Sequence, residues 1–419
     1  LSASQESAIY SILGKRVAIL TGGPGTGKTT IVKTLRSIYE KLGLKVVMCA
    51  PTGRAARRMA EATGSAASTI HRLLDWGPSV DSDPEFSFRR NSAHPLEADV
   101  VICDESSMMD VTLMAAVLRA IHSRGHVLFV GDIDQLPPVG PGAPLRDLIE
   151  SGLVSVARLT EIHRQAEGSG IVRASHAIRD GKVVVPNVRG DRSSGALFVI
   201  EKSSPNEIQE EIVRIVQSQA PKAFGVSALS DVQVIVPMRK SEVGTEELNT
   251  ILQERLNPRT EGQHEVVRSG RSFRAGDRVM QTVNNYQLSV MNGQIGFVKE
   301  VLAPSKADPS RVVPLSVDFG EQVVEYSEAQ LSQLQHAYAC TVHKMQGSQS
   351  KVVVVGLCRS HWFMLNRTLV YTAVTRAEQA CILVCDKSSL SRAIRNKGNF
   401  HRSTGLPDML VNVLGVSKG

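Results

Sequence analysis

Short apolar runs followed by glycine-rich or acidic turns recur along the first third of the chain. Arg16-Val17-Ala18-Ile19-Leu20, Asp99-Val100-Val101-Ile102-Cys103 and His126-Val127-Leu128-Phe129-Val130 each have the length and β-branched content of a buried strand. Ile31-Val32-Lys33-Thr34-Leu35, just after the first run, spaces its apolar residues as one face of a helix. The pattern then changes. Asp277-Arg278-Val279-Met280-Gln281, Ile295-Gly296-Phe297-Val298 and Leu315-Ser316-Val317-Asp318-Phe319 are short strand patterns divided by Gly276-Asp277, Asn292-Gly293 and Phe319-Gly320 turn signals. Short strands with close turns predict a small β-barrel. Between His71 and Asp99 the alternation in Phe86-Ser87-Phe88 suggests one strand of a small hairpin, although the same stretch also reads as a surface loop. Ala303 to Ser310 reads as a loose loop, and there is no internal repeat at a solenoid period.

Composition narrows this only a little. A chain of 419 residues implies two to three domains. Lys and Arg (48) exceed Asp and Glu (41), a net charge of +7 that biases the surface mildly towards polyanions. The six cysteines, at 49, 103, 340, 358, 381 and 385, are scattered and several lie in apolar runs, where Cys acts as a small hydrophobe. That usage predicts a reducing, cytoplasmic setting without a structural metal. No continuous apolar segment reaches bilayer length, and Leu1 to Tyr10 lacks a signal-peptide pattern. The chain starts at Leu1 rather than Met, so it reads as a fragment with a missing N-terminal region through which protein partners could bind.

Three segments carry chemistry. Gly22-Gly23-Pro24-Gly25-Thr26-Gly27-Lys28-Thr29 matches the G-x-x-x-x-G-K-[ST] phosphate-binding loop, set between a strand and a helix as that chemistry requires. Its glycines let backbone N–H groups face phosphate oxygens, and the helix dipole favours the anion. Lys28 is assigned to the β- and γ-phosphates of a nucleoside triphosphate and the Thr29 hydroxyl to Mg²⁺. Asp104-Glu105 ends the second strand run, which suits Asp104 as a Mg²⁺ ligand and Glu105 as the group polarising the attacking water. The third run ends in Gly131-Asp132-Ile133-Asp134-Gln135-Leu136-Pro137-Pro138, where the uncharged Gln135 can sense a γ-phosphate without competing for Mg²⁺.

Together, these three segments resemble the ATPase motifs of superfamily 1 helicases, and most of all the RecD-like group of 5′→3′ DNA helicases. Other segments are similar to that family's motifs in the same order. Ala50-Pro51-Thr52-Gly53-Arg54 and Ser68-Thr69-Ile70-His71 resemble its first two single-strand-binding motifs, and Pro237-Met238-Arg239-Lys240 a strand-contacting loop of its second motor domain. Thr341-Val342-His343-Lys344-Met345-Gln346-Gly347 and Tyr371-Thr372-Ala373-Val374-Thr375-Arg376 resemble its last two motifs, and Leu159 to Gln165 the segment supplying an arginine finger. The resemblance implies ATP and Mg²⁺ as cofactors, with Gln5 reading adenine and Gln5, Gly22, Gly23, Pro24, Gly25, Thr26, Gly27, Lys28, Thr29, Thr30 and Gly347 around the nucleotide. Lys28, Glu105, Gln135, Arg164 and Arg376 would be catalytic, with His163 and Arg158 as alternatives to Arg164. Pro51, Thr52, Arg54, Thr69, His71, Met238, Arg239, Tyr286, Thr341, His343 and Lys344 would meet single-stranded DNA and single/double-strand junctions. His71 also reads as a satisfied loop histidine, and Tyr286 as an ordinary partly buried aromatic.

The implied architecture is α/β: two P-loop (RecA-like) motor domains with nucleotide in the cleft, a small β-hairpin insertion and an inserted SH3-like β-barrel. Residues 1–158 would form the first motor domain, with a pin-like insertion at about 75–97. Residues 159–261 and 336–419 would form the second, around a barrel at 262–335. The implied activity is ATP-dependent DNA unwinding in repair or recombination. Rival readings are a translocase or remodelling subunit that unwinds only with partners, a helicase module of a conjugation protein, an RNA helicase, and a scaffold with a vestigial ATPase.

Overall fold

A computed structural model describes all of the chain except residues 79–85, 162–167, 189, 192–194, 286, 302–313, 321, 399–403 and 415–419. It divides into two compact units, Leu1–Gly168 with Gly398–Gly419, and Ser169–Lys397. The loop expected at Ala303 to Ser310 lies outside the described residues.

In the first unit, a helix α1 (Ala3–Ile12) precedes β1 (Val17–Gly22) and α2 (Lys28–Lys41). Then come β2 (Val46–Ala50), α3 (Gly53–Thr63), β3 (Ser68–Thr69), α4 (Ile70–Leu73) and a two-stranded hairpin, β4 (Trp76–Pro78) and β5 (Phe86–Phe88). β6 (Val100–Cys103), α5 (Val111–Ala120), β7 (His126–Gly131), α6 (Pro144–Ser151) and β8 (Ser155–Leu159) complete it. Its six-stranded sheet is parallel throughout, in the order β3-β2-β6-β7-β1-β8. Strand side chains alternate, so one apolar run feeds both faces. Leu20, Val100 and Ile102 join Ile31 and Leu35 on one side, while Ile19, Val101, Cys103 and Phe129 join Met114 and Val117 on the other. Burying each such side chain stabilises the unit by roughly 1.5–3 kcal/mol. The registers Leu20↔Val130 and Cys103↔Phe129 bring the carboxyl ends of β1, β6 and β7 to one edge.

The second unit has a parallel sheet of β9 (Ala196–Glu201), β10 (Val232–Val236), β18 (Ala339–Thr341), β19 (Ser350–Leu357) and β20 (Ala377–Cys385), in the order β18-β10-β19-β20-β9. Between β10 and β18 the chain forms a hairpin, β11 (Glu265–Arg268) with β12 (Arg271–Arg274). An antiparallel five-stranded sheet of β13 (Arg278–Gln281), β14 (Ile295–Val301), β15 (Leu315–Asp318), β16 (Val323–Tyr326) and β17 (Leu334–His336) follows. Its core includes Phe273, Val279, Val298, Val317 and Tyr326.

Asp277 falls just before β13 rather than within it, its N–H closing a turn to the Arg274 carbonyl (3.0 Å). Its fully buried carboxylate accepts from Tyr338 Oη (2.9 Å), Asn257 Nδ2 (2.8 Å), Gln253 Nε2 (2.7 Å) and the Arg274 N–H (2.8 Å). The next residue, Arg278, donates to the carbonyls of Leu229 (2.9 Å) and Val232 (2.7 Å) and to Gln233 Oε1 (2.8 Å). Asp277 and Arg278 therefore fasten the inserted strands to the helix Thr245–Leu256 and to β10.

His361 is fully buried, with Cys358 N–H donating to its Nδ1 (3.2 Å) and its Nε2 at 3.0 Å from Ser241 Oγ. Burial lowers its pKa to about 4, against the opposing pull of the Val243 backbone, Glu242 and Asp386. The unfolded chain takes up this proton near pH 6.5 and the folded chain resists it until about 4. The stability due to neutral His361 is therefore complete above pH 6.5 and falls towards pH 4, by roughly 3 kcal/mol in all. Urea unfolding of wild type and His361→Gln across that range should show a flatter pH dependence in the variant. Equal slopes would contradict the assignment.

Candidate functional site

The loop leaving β1 is shaped to meet an anion. Gly27 caps α2 with φ 83°, a left-handed conformation that glycine takes without strain, and it offers no side-chain cap. Thr52, Thr69 and Asp110, in contrast, cap α3, α4 and α5 with their side chains. The first N–H groups of α2 are left for another acceptor, at the positive end of a 14-residue helix dipole. At Gly22 a Cβ would stand 2.7 Å from Thr26 Oγ1 and 2.9 Å from the Leu159 carbonyl, so only glycine fits. Thr26 Oγ1 donates to Gly23 O (2.8 Å), closing the loop. Lys28 Nζ donates back to the carbonyls of Gly22 (2.5 Å) and Gly23 (3.1 Å), a cation lying over its own loop. Pro24, Gly25, Thr29 and Thr30 complete the turn and the first turn of α2.

Asp104 and Glu105 follow β6 at the same sheet edge. Burial and the adjacent Glu105 charge raise the Asp104 pKa to about 6, against the pull of the Glu105 N–H (2.8 Å), Lys28 and Arg58. A carboxyl disfavoured in this way gains from a cation beside it. Glu105 adopts φ 50° and ψ 37°, a left-handed backbone that costs a non-glycine residue about 1 kcal/mol or more. Arg58 NH1 on α3 lies 3.9 Å from Glu105 Oε1. Gln135, 7% exposed, donates from Nε2 to Asp132 Oδ2 (3.3 Å), while its Oε1 is buried with no protein partner among the described residues. An orphan acceptor of this kind costs about 1–3 kcal/mol unless water or a ligand meets it.

Gln5 belongs to the capping box of α1: its N–H donates to Ser2 Oγ (3.3 Å) and its Oε1 accepts from the Ser2 N–H (3.0 Å). Gly347, in the second unit, has φ 70°. Arg376 is 2% exposed within that unit, donating to the carbonyls of Thr372 (3.2 Å) and Ser348 (3.3 Å) and to Thr375 Oγ1 (3.3 Å). Arg164, His163 and Tyr286 lie outside the described residues.

Each unit also carries candidate strand contacts. In the first, Pro51 and Thr52 follow β2 and Arg54 opens α3. The Oγ1 atoms of Thr52 and Thr69 accept from Ala55 N–H and Arg72 N–H (3.2 Å each), leaving their hydroxyl hydrogens to donate outward. His71 packs on the hairpin, its ring 6.0 Å from Trp76 and 5.7 Å from Phe88, which are 4.4 Å apart. Burial lowers its pKa, although Asp110 opposes the shift. Arg89 pairs with Asp75 at 3.6 Å across the base of the hairpin, and residues 79–85 are outside the described residues.

The second unit brings together residues about a hundred positions apart. A cavity of about 480 Å³ is lined by Pro237, Met238, Arg239, Lys240, Thr341, His343 and Met364. Burial lowers the His343 pKa, and that of Lys344, whose Nζ donates to Asn292 Oδ1 (2.7 Å). Lys240 belongs to the 237–240 segment already singled out, whereas nothing in the residues marked Met364 as a lining residue, Arg58 as a neighbour of Glu105, or the Glu105 backbone as strained. Only a helix periodicity placing Arg58 and Arg54 on one face of α3 could have pointed to Arg58.

A phosphate-shaped loop, paired carboxylates at the next strand end and a second parallel α/β unit define a P-loop NTPase of helicase architecture. Residues 1–193 match the AAA domain family, 248–319 the ATP-dependent RecD-like DNA helicase SH3 domain and 336–384 the UvrD-like helicase C-terminal domain. The ATP-dependent RecD2 DNA helicase of Deinococcus radiodurans is 40% identical over 377 residues, covering 90% of this chain and 48% of that protein. The RecBCD enzyme subunit RecD of Mycolicibacterium smegmatis is 31% identical, covering 96% of this chain and 74% of that one. The Pif1 helicase of Bacteroides in complex with ADP-AlF3 and ssDNA has the same fold, with a TM-score of 0.55 at 17% identity over 100% of this chain and 98% of that one. The chain belongs to the RecD-like helicase family. It spans about half the length of the Deinococcus relative. Among the described residues no helix is long and apolar enough to cross a membrane.

The aromatic cluster generates a test. A double-mutant cycle of Trp76→Ala and Phe88→Ala, read by thermal unfolding, should give a coupling of about 1 kcal/mol. Additive effects would remove the cluster as the anchor of the hairpin.

Proposed function

We propose that this chain is the motor of an ATP-dependent DNA helicase that travels 5′→3′ along single-stranded DNA and opens duplexes in repair or recombination. The observation that carries this reading is the conjunction in one unit of an uncapped helix N-terminus, a loop-bound Lys28 and a buried, unpartnered Gln135 Oε1. Family membership supplies the substrate class.

In this reading the 22–29 loop and the first N–H groups of α2 hold the triphosphate, and Lys28 exchanges its two carbonyls for β- and γ-phosphate oxygens. Thr29 and Asp104 would hold Mg²⁺, which neutralises charge on the phosphates. The donors fit: both are hard oxygens, and Mg²⁺ needs only one or two protein ligands beside phosphates. Among the described residues no cluster of three or more His, Cys, Asp or Glu could make a full protein cage. Glu105 accepts the proton of the attacking water, and Gln135 Oε1 accepts a hydrogen bond from that water. Arg376 and Arg164 bring positive charge to the transferring phosphoryl group, while Gln5 and Gly347 complete the nucleotide contacts. Pro51, Thr52, Arg54, Thr69 and His71 in one unit hold the strand, as do Met238, Arg239, Tyr286, Thr341, His343 and Lys344 in the other. Each turnover changes which set grips.

A second reading has one observation in its favour. Some relatives are named as subunits of a larger enzyme, which suits a translocase that unwinds only with protein partners. Duplexes with a 5′ or a 3′ single-stranded tail, given ATP and Mg²⁺, separate the two. The proposal expects unwinding from the 5′ tail only. Unwinding from the 3′ tail contradicts the polarity, and strand-stimulated turnover without unwinding favours the second reading. Arg376→Ala should retain nucleotide and lose about 10³-fold or more in turnover. Undiminished turnover would remove Arg376 from the reaction.

A further inference from the structure

Phe363 is 92% exposed, the most exposed large aromatic or aliphatic side chain among the described residues. It does not stand on an arbitrary surface. The next residue, Met364, lines the cavity of Arg239, Lys240, Thr341 and His343. Two residues earlier, the buried His361 lies 3.0 Å from Ser241 Oγ, so the loop that carries Phe363 is tied to the loop that carries Arg239 and Lys240. The preceding residue is also fixed: Trp362 has the Arg392 guanidinium 3.5 Å over its ring, and its carbonyl accepts from Arg392 Nε (3.3 Å). Helix residue Glu246 pairs with Arg239 at 3.1 Å on the exposed side, and its N–H donates to the Arg239 carbonyl (3.1 Å), which holds the basic loop in place.

An anchored loop that presents an uncovered aromatic ring costs free energy in water. Beside a cationic cavity, its complement is a flat apolar ring joined to an anion. A nucleotide of a single strand is that ligand, with every base offering a π-face whatever its identity. We propose that Phe363 is a stacking platform for one base of the single strand, with the adjacent phosphate drawn to Arg239 and Lys240. The proposal rests on the strand-binding reading and names a contact that the family motifs do not cover. In this role Phe363 serves binding and translocation rather than phosphoryl chemistry.

The test uses the whole chain and a fluorescently labelled oligothymidylate, with affinity measured by anisotropy at fixed salt for wild type, Phe363→Ala and Phe363→Tyr. A second oligonucleotide carries abasic sites through its central half. The high exposure of Phe363 predicts an unchanged melting temperature in both variants. Phe363→Ala should bind the thymidylate about ten-fold or more weakly, in line with loss of a base–aromatic stack, and Phe363→Tyr should restore it. On the abasic strand, wild type and Phe363→Ala should bind equally. An equal loss on both strands, or wild-type affinity in Phe363→Ala, overturns the stacking role and leaves Phe363 as a surface for another protein. Wild type that binds neither strand overturns the strand-binding reading itself.

Discussion

Parallel strand pairing decides where chemistry can sit in this chain. In the first sheet β1, β6 and β7 run the same way and end within three residues of one another in register. Each continues into a turn at the same edge: the 22–27 loop, Asp104-Glu105 and the 131–138 loop. An antiparallel neighbour would have sent one of these turns to the far end of the sheet. The uncapped N-terminus of α2, the desolvated Asp104 carboxyl and the unpartnered Gln135 Oε1 are three deficits gathered at that edge. The first favours anions and the second a cation. The third needs a hydrogen-bond donor. A metal–triphosphate with its attacking water, as proposed above, would answer all three.

The second unit is organised by a different constraint. Its parallel sheet is interrupted between β10 and β18 by an antiparallel insertion with its own core, and such an insertion could swing freely on two connections. Asp277 and Arg278 prevent that. Every bond in their network is buried or half-buried, and removing one partner of a buried charged group typically costs about 3–5 kcal/mol. The inserted strands are thus held to β10 and to the helix Thr245–Leu256, whose first turn also holds the Arg239 loop. One helix serves both the inserted strands and the cavity lined by Arg239 and Lys240.

Much of this was legible in the residues. Strand periodicity placed β1, β6 and β7 to within two residues, and the loop motif, Asp104-Glu105 and Gln135 follow those strands as short-range spacing said they would. What escaped depends on contacts over long sequence separations or on backbone angles. Thr52 and Thr69 read as strand contacts, and the structure shows them as helix caps, a role decided by three-residue geometry that a motif does not display. Glu105 gives no hint in its identity that it is left-handed. The cavity draws from segments about a hundred residues apart, and His361 is visible as a tether only once Ser241 lies beside it. Phe363 is an ordinary apolar letter until its exposure is known.

The most direct measurement is steady-state ATP hydrolysis, with and without single-stranded DNA, by the wild-type chain and by Lys28→Ala, with strand affinity measured in parallel. If the edge of the first sheet is the phosphate site of a strand-driven motor, DNA raises wild-type turnover. Lys28→Ala then loses turnover under both conditions and keeps its strand affinity. Turnover in Lys28→Ala equal to that of wild type would place the chemistry elsewhere and contradict the account.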